Sequence, residues 1–481
     1  MLTKPIFCSL GVYLMKKIIK TTTGTFHGIT DHQHIDFLGI PFGYGRRFKR
    51  AEEFSITKFG KQEINKLQYA VHNGTQPMQD EALEQNEDKV NFGENCLNLD
   101  ICTPDVEGHY PIVIEFYGGG FTTGGNFQKQ MSWLDHQEVV HVVPNYRLGL
   151  FGWGKVDGGD TNVGLSDQLM AIQWVIDNAS SFGGDVENLN LIGLSAGAKS
   201  IATLMSSNAK VLDRVKKVIM FSGGVQTIRD LKTAKKVVDN ICRVNKIKSS
   251  KDLFNLTDDG LQLVQQAALK GHFATNWFGP VIDDDLISTD WQEKLIQRVK
   301  RTNFKTIISA GSNELKFFED MDLKQIENDV LPDLFGHNTE QLKQELLNDN
   351  YSKNDLIEML GTAMYALPAR RMAELLIQNS DAEIYCNYAK VDEGKHGGIV
   401  RYLNTPNADL KIDYRKNQLY MIHLLREFIN NGKPYDETIK FEWPIYDDDR
   451  LVLELDPDDL KSVSVISRRC PDDLPWQSYK L

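Results

Sequence analysis

The chain has 481 residues, 41% of them hydrophobic and 25% charged, with a formal net charge of −12. This is the make-up of a globular protein with a sizeable core, one large α/β domain or two to three average ones. The acidic balance excludes the concentrated basic surface that nucleic-acid binding needs, and the short basic run Arg46-Arg47-Phe48-Lys49-Arg50 does not reverse it. An apolar run at 5–15 is too short to span a bilayer. Its strongest positive charge, Lys16-Lys17, follows rather than precedes it, the wrong order for a signal peptide. Met15 reads as a natural start, so residues 1–16 are expected to be an N-terminal extension and 17–481 a single domain. No membrane span is expected. Short apolar runs broken by glycine at 17–60 suggest antiparallel strands, and the polar stretch 61–92 a surface loop.

Strand-like runs follow at 97–102, 111–116, 139–143, 189–193, 215–221, 306–310 and 382–387. Between 139–143 and 189–193 lies a helical segment, 166–178, with apolar residues near a 3.6-residue period at Leu169, Ile172, Val175 and Ile176. Charged helical segments are expected within 226–268, 338–379 and 416–431. Strand alternating with helix predicts an α/β fold, a mostly parallel central sheet flanked by helices, with N-terminal antiparallel strands and helical insertions. The six cysteines, Cys8, Cys96, Cys102, Cys242, Cys386 and Cys470, are widely spaced and form no C-x-x-C pair. Buried free thiols, a reducing cytoplasmic setting and no metal or cofactor are the expectation.

Chemistry concentrates at three strand ends. The run 189–193 ends in Gly-Leu-Ser-Ala-Gly, where glycines on both sides of Ser195 allow a sharp turn from strand into helix. Such a turn lifts a serine hydroxyl above the sheet edge and sets it at a helix N-terminus. The run 111–116 ends in Gly118-Gly119-Gly120, whose backbone N–H groups are open to an oxyanion. Neither G-x-G-x-x-G nor a Gly-Lys-Ser ending accompanies them, which argues against a phosphate loop. In an α/β-hydrolase the acid follows the serine and the histidine follows the acid. The strand 306–310 leads to Glu314, with Glu319 as a local competitor. Seven histidines precede Ser195 and His272 precedes Glu314. His337 falls in a polar turn and His423 in an amphipathic helix, whereas His396 lies in a glycine-rich loop after the last strand.

These stretches resemble the type-B carboxylesterases, the α/β-hydrolase family that includes the cholinesterases. Matching motifs run from Thr22 to about Asp449: Glu-Asn-Cys-Leu-Asn-Leu-Asp at 94–100, Gly-Gly-Gly-Phe at 118–121, Asn-Tyr-Arg-Leu-Gly at 145–149, Gly-Leu-Ser-Asp-Gln at 164–168, Phe-Gly-Gly-Asp at 182–185, the serine turn, and Gly-Pro-Val-Ile-Asp at 279–283. The resemblance implies a serine esterase with Ser195 as nucleophile, Glu314 as acid and His396 as base. It also implies Gly119, Gly120 and Ala196 as the oxyanion hole, and a small-molecule ester as substrate. Paired charges, Arg47 with Glu94 and Arg147 with Asp167, are implied to be structural. Several positions depart from the family. Leu194 replaces the usual glutamate before the serine, which predicts a preference for neutral over choline esters. Tyr117 replaces the commoner histidine, and Ser309 a glycine. No cysteine in 61–92 can pair with Cys96, and the 82 residues from Glu314 to His396 predict a trimmed lid. A non-catalytic module of the neuroligin kind, or a lipase or peptidase on the same scaffold, are the alternatives.

Overall fold

The computed structural model describes residues 16–464 apart from 31–32, 55–66, 81–89, 226–227, 271, 273–276, 336–338, 348–349, 438–439 and 457–459. The N-terminal stretch 1–15, Cys8 and Cys470 therefore lie outside the described residues.

A thirteen-stranded sheet forms the frame. Its main strands are β1 (Lys16–Thr21), β2 (Gly24–Thr30), β3 (Ile35–Pro41), β4 (Asn98–Thr103), β5 (Tyr110–Phe116), β6 (Val140–Pro144), β7 (Gly184–Leu194), β8 (Val215–Phe221), β9 (Lys305–Gly311), β10 (Ile384–Ala389), β11 (Leu451–Leu455) and β12 (Leu460–Ser464). Their order is β1-β2-β3-β4-β6-β5-β7-β8-β9-β10-β11-β12. Every neighbouring pair from β6 to β11 is parallel, and the pairs outside that block are antiparallel. The short strand Leu67–Tyr69 joins β2, inside the stretch expected to be loop. β11 and β12 have no counterpart among the sequence-derived strands.

The central strands are apolar on both faces because helices cover both. Ile112, Ile114, Leu191, Val218 and Ile308 belong to one core, together with residues of helices α1 (Val163–Asn178), α2 (Ala196–Met205), α3 (Leu231–Val244), α4 (Asp258–Leu269) and α5 (Trp291–Thr302). The alternating residues Val113, Ile192, Ile219 and Ile307 pack in a second core with Met421, Leu424, Leu425 and Phe428. A side-chain period of two sends neighbours to opposite faces, so one run feeds both cores. Between β9 and β10 the helices α6 (Lys353–Gly361) and α7 (Leu367–Asn379) enter a helical layer with a third core of its own, including Leu315, Phe318, Leu356 and Leu360. Helices α8 (Gly398–Asn404) and α9 (Ile412–Asn431) follow β10.

Both expected charge pairs are present. Arg147 Nη2 lies 2.6 Å from Asp167 Oδ1, with both side chains buried, and the Arg147 backbone N–H donates to the same carboxylate at 3.0 Å. Arg47 donates to Glu94 at 2.6 Å and to Asp258 at 2.5 Å, which ties the N-terminal strands to α4. Removing one partner from a buried pair leaves an uncompensated charge, so these contacts fix the packing around the sheet ends. Cys96, Cys102, Cys242 and Cys386 are all free and buried.

Candidate active site

β7 runs straight into α2 through Ser195, whose backbone sits at φ 55° and ψ −117°. Positive φ is costly for a residue with a Cβ, so neighbouring contacts must hold it. They do: Ser195 N–H donates to Phe221 O at 2.9 Å, and Ser195 O accepts from Lys199 N–H at 2.9 Å. The turn also brings backbone against backbone. A Cβ at position 197 would lie 1.8 Å from Phe116 O, and one at 193 would lie 2.6 Å from the Gly197 carbonyl carbon. Only glycine fits on either side of the serine.

The triple-glycine loop after β5 presses on this turn. A Cβ at position 118 would come within 2.7 Å of Leu194 O and 3.1 Å of Ser195 Cβ. Gly119 and Gly120 both have positive φ, 122° and 60°. The Gly118 N–H is taken by Gln130 Oε1 at 2.7 Å, and the Gly119 carbonyl accepts from the N–H groups of Thr122 and Thr123. The N–H groups of Gly119, Gly120 and Ala196 have no acceptor among the described residues. Three backbone donors are thus left unused, two on the loop whose Gly118 presses against Ser195 and one on the residue after the serine. Tyr117 fixes the loop from below. Its ring stacks on Tyr146 at 4.4 Å, its hydroxyl donates to Tyr146 O, and Tyr146 returns a bond to Tyr117 O at 2.7 Å.

Glu314 follows β9, and His396 follows β10 and a tight turn in which Asp392, Glu393 and Gly394 have positive φ. His396 Nδ1 lies 2.7 Å from Glu314 Oε2, and the His396 backbone N–H donates to Glu314 O at 3.0 Å. The second carboxylate oxygen accepts from Gly311 N–H at 2.5 Å. The glutamate is buried while the imidazole keeps an exposed edge, and the Tyr365 ring lies 4.4 Å from the imidazole. A Cβ on Gly397 would lie 3.3 Å from the Leu194 side chain, so the histidine loop closes onto the residue before the serine. Ser195 Oγ and His396 Nε2 are not hydrogen-bonded to each other; such bonds tighten when substrate binds.

The competing residues sit elsewhere. Glu319 is exposed. His272 pairs with Asp333 at 2.9 Å, His423 is half-buried on α9, and His337 lies outside the described residues. Phe121, Trp277, Phe278 and Phe318 are buried in the cores, and Phe317 is exposed. His34, Asp36 and Cys102 bring potential metal-ligand atoms within 4.8 Å of one another. They fit a cation poorly: Lys129 Nζ stands 3.7 Å from Asp36, and burial pushes the Cys102 thiol well above its usual range, keeping it protonated. Two buried side chains, Lys199, which feels the charge of Glu314, and Arg229, which faces Lys199, escaped sequence reasoning. A lysine in the otherwise small and apolar opening of α2 was the available signal.

Together, the parallel sheet, the strained serine turn at the end of a central strand and the glycine loop beside it define an α/β-hydrolase. The carboxylesterase family profile matches residues 15–466. The mouse pyrethroid hydrolase Ces2a is 26% identical over 480 residues, covering 87% of this chain and 83% of its own. A neuroligin-like protein, glit-1, of Caenorhabditis elegans is 34% identical over 186 residues, 36% of this chain and 25% of its own. Among solved structures, a PNB esterase superposes with a TM-score of 0.79 at 21% identity, covering 94% of this chain and 98% of its own. The chain belongs to the carboxylesterase family, and it is a carboxylic ester hydrolase. No described helix is long and apolar enough to cross a membrane.

Proposed function

We propose that this chain is a serine carboxylesterase that hydrolyses neutral carboxylic esters through Ser195, His396 and Glu314 and an acyl-enzyme intermediate. The observation that carries the reading is the 2.7 Å contact between His396 Nδ1 and Glu314 Oε2, on a loop closed against Leu194. Glu314 holds the proton on Nδ1, which leaves Nε2 as the base. His396 takes the Ser195 proton as Oγ attacks the ester carbonyl. The N–H groups of Gly119, Gly120 and Ala196 receive the negative oxygen of the tetrahedral intermediate. His396 then protonates the leaving alcohol, and water repeats the sequence on the acyl-enzyme. A single domain over 17–481 and a reducing, cytoplasmic setting belong to the same reading; the four unpaired thiols support the setting.

A fluorophosphonate probe tests the nucleophile. It is expected to label Ser195 stoichiometrically, and correctly folded protein that resists labelling would favour a binding module like the neuroligins.

Leu194 leaves the wall beside the serine without a carboxylate, so nothing there attracts a quaternary ammonium. The kcat/KM for a neutral aryl acetate is expected to exceed that for acetylthiocholine by about tenfold or more, the scale of one lost charge contact near a protein surface. A clear choline preference would refute this.

A further inference from the structure

Lys199 is the fourth residue after Ser195, one turn into α2, and only 2% of it is exposed. Buried ammonium groups are normally paired. This one is not: among the described residues Nζ has neither an ion pair nor a hydrogen bond. Its one close partner is the ring of Tyr365, 5.3 Å away at the centroid. That same ring packs against the His396 imidazole at 4.4 Å. Lysine, tyrosine and histidine therefore form a short row leading into the triad.

The charged groups facing Lys199 are few. Arg229, also 2% exposed, turns its guanidinium to the carbonyl oxygens of Trp277 and Phe278 and has no carboxylate partner among the described residues. Glu314 supplies the negative charge, and its oxygens are engaged by His396 and Gly311. With Lys199 protonated, two buried cations, Lys199 and Arg229, oppose each other, and Glu314 offsets the charge on Lys199 only in part. Catalysis adds a third cation, because His396 becomes an imidazolium when it takes the serine proton. Like charges this close, away from water, oppose one another strongly.

We propose that Lys199 is a positioning residue of the triad: while its amine carries a proton it opposes formation of the His396 imidazolium, and the enzyme reaches full rate only with that amine neutral. The inference rests on the serine-esterase reading above. Burial, reinforced by Arg229 and only partly offset by Glu314, brings the Lys199 amine down to about 7. It thus gains its proton within the working range of an esterase, as pH falls through neutrality.

The acid limb of log(kcat/KM) against pH, measured with a neutral p-nitrophenyl ester, tests this. Protonation of Lys199 alone already takes the enzyme out of its full-rate state, so the wild-type limb bends at a higher pH than histidine alone would set, while its slope stays at tenfold per unit because a proton on either group opposes the other. Lys199→Met keeps the length of the side chain and removes the charge. Its limb is expected to bend at a lower pH and to retain severalfold more of its plateau activity one unit below the wild-type bend. Its plateau stays within about threefold of wild type, on the scale of a volume-conserving exchange. Superimposable normalised profiles would overturn the proposal, as would a folded Lys199→Met enzyme with a collapsed plateau. Should that variant not fold, Lys199→Leu gives the same comparison: a profile that superimposes on wild type overturns the proposal, and a bend moved to lower pH supports it. Fluorophosphonate labelling of the wild type separates the two failures, since an enzyme that labels at Ser195 but shows no shift of the bend loses only the role of Lys199.

Discussion

Ser195→Ala is expected to lower kcat for p-nitrophenyl acetate by about 10⁶ and to abolish fluorophosphonate labelling, the scale seen when a hydrolase loses its nucleophile. The size follows from the division of labour at the site. Without Oγ no acyl-enzyme forms, and the remaining N–H donors at Gly119, Gly120 and Ala196 can only assist direct attack by water. The substitution leaves the fold alone, because the bonds that hold the turn run through the backbone: Ser195 N–H to Phe221 O and Lys199 N–H to Ser195 O. Alanine occupies the same strained φ of 55°, so the melting temperature is expected to change little. Ser195→Gly would relieve that strain and should raise it, at the same loss of activity. Stopped-flow traces of the wild type should show a burst of one p-nitrophenol per chain, absent from both variants. A Ser195→Ala enzyme within tenfold of wild type would remove Ser195 from the chemistry.

Much of this was legible in the chain because two local rules coincide there. The central strands are continuous apolar runs, the mark of strands covered on both faces, and β8 (Val215–Phe221) fell where its residues indicated. The glycines at 193, 197 and 119 are dictated by backbone contacts as short as 1.8 Å, so the motif and the geometry state the same constraint. Edge strands were harder. β11 and β12 carry Glu454 and Lys461, and while β12 pairs with its neighbour β11, β11 reaches the sheet only through β10, far away in sequence. β7 begins at Gly184, five residues before its apolar run, because its first residues pair at the edge of the core rather than inside it. Lys199 stood out only as a lysine in a small, apolar helix opening, and Arg229 and Tyr365 were invisible for a different reason. Each is ordinary in its own segment and acquires meaning only when α2, the stretch before α3 and the helical layer around α6 meet beside Glu314. Charge proximity across three distant segments leaves no periodicity to read.

The same meeting of segments makes Glu314 decisive, and Glu314→Gln is expected to cut kcat by about 10⁴ with little change in KM, the effect of amidating the acid of a serine triad. The amide is nearly the shape of the carboxylate, so the loop should keep its course. Its orientation is set by the neighbours. Gly311 N–H must still donate to an oxygen at the Oε1 position, 2.5 Å away in the parent, which turns the NH₂ toward His396 Nδ1. A donor there forces the imidazole proton onto Nε2, the tautomer that cannot accept from Ser195. The variant also loses the negative charge that stabilises the imidazolium. Glu319 provides the internal comparison: it is exposed, and Glu319→Gln should leave kcat within about twofold, as surface changes away from a site do. Loss of activity on the second substitution but not the first would move the acid to position 319. A double variant, Ser195→Ala with Glu314→Gln, should be no slower than Ser195→Ala alone, since residues that act as a unit do not add.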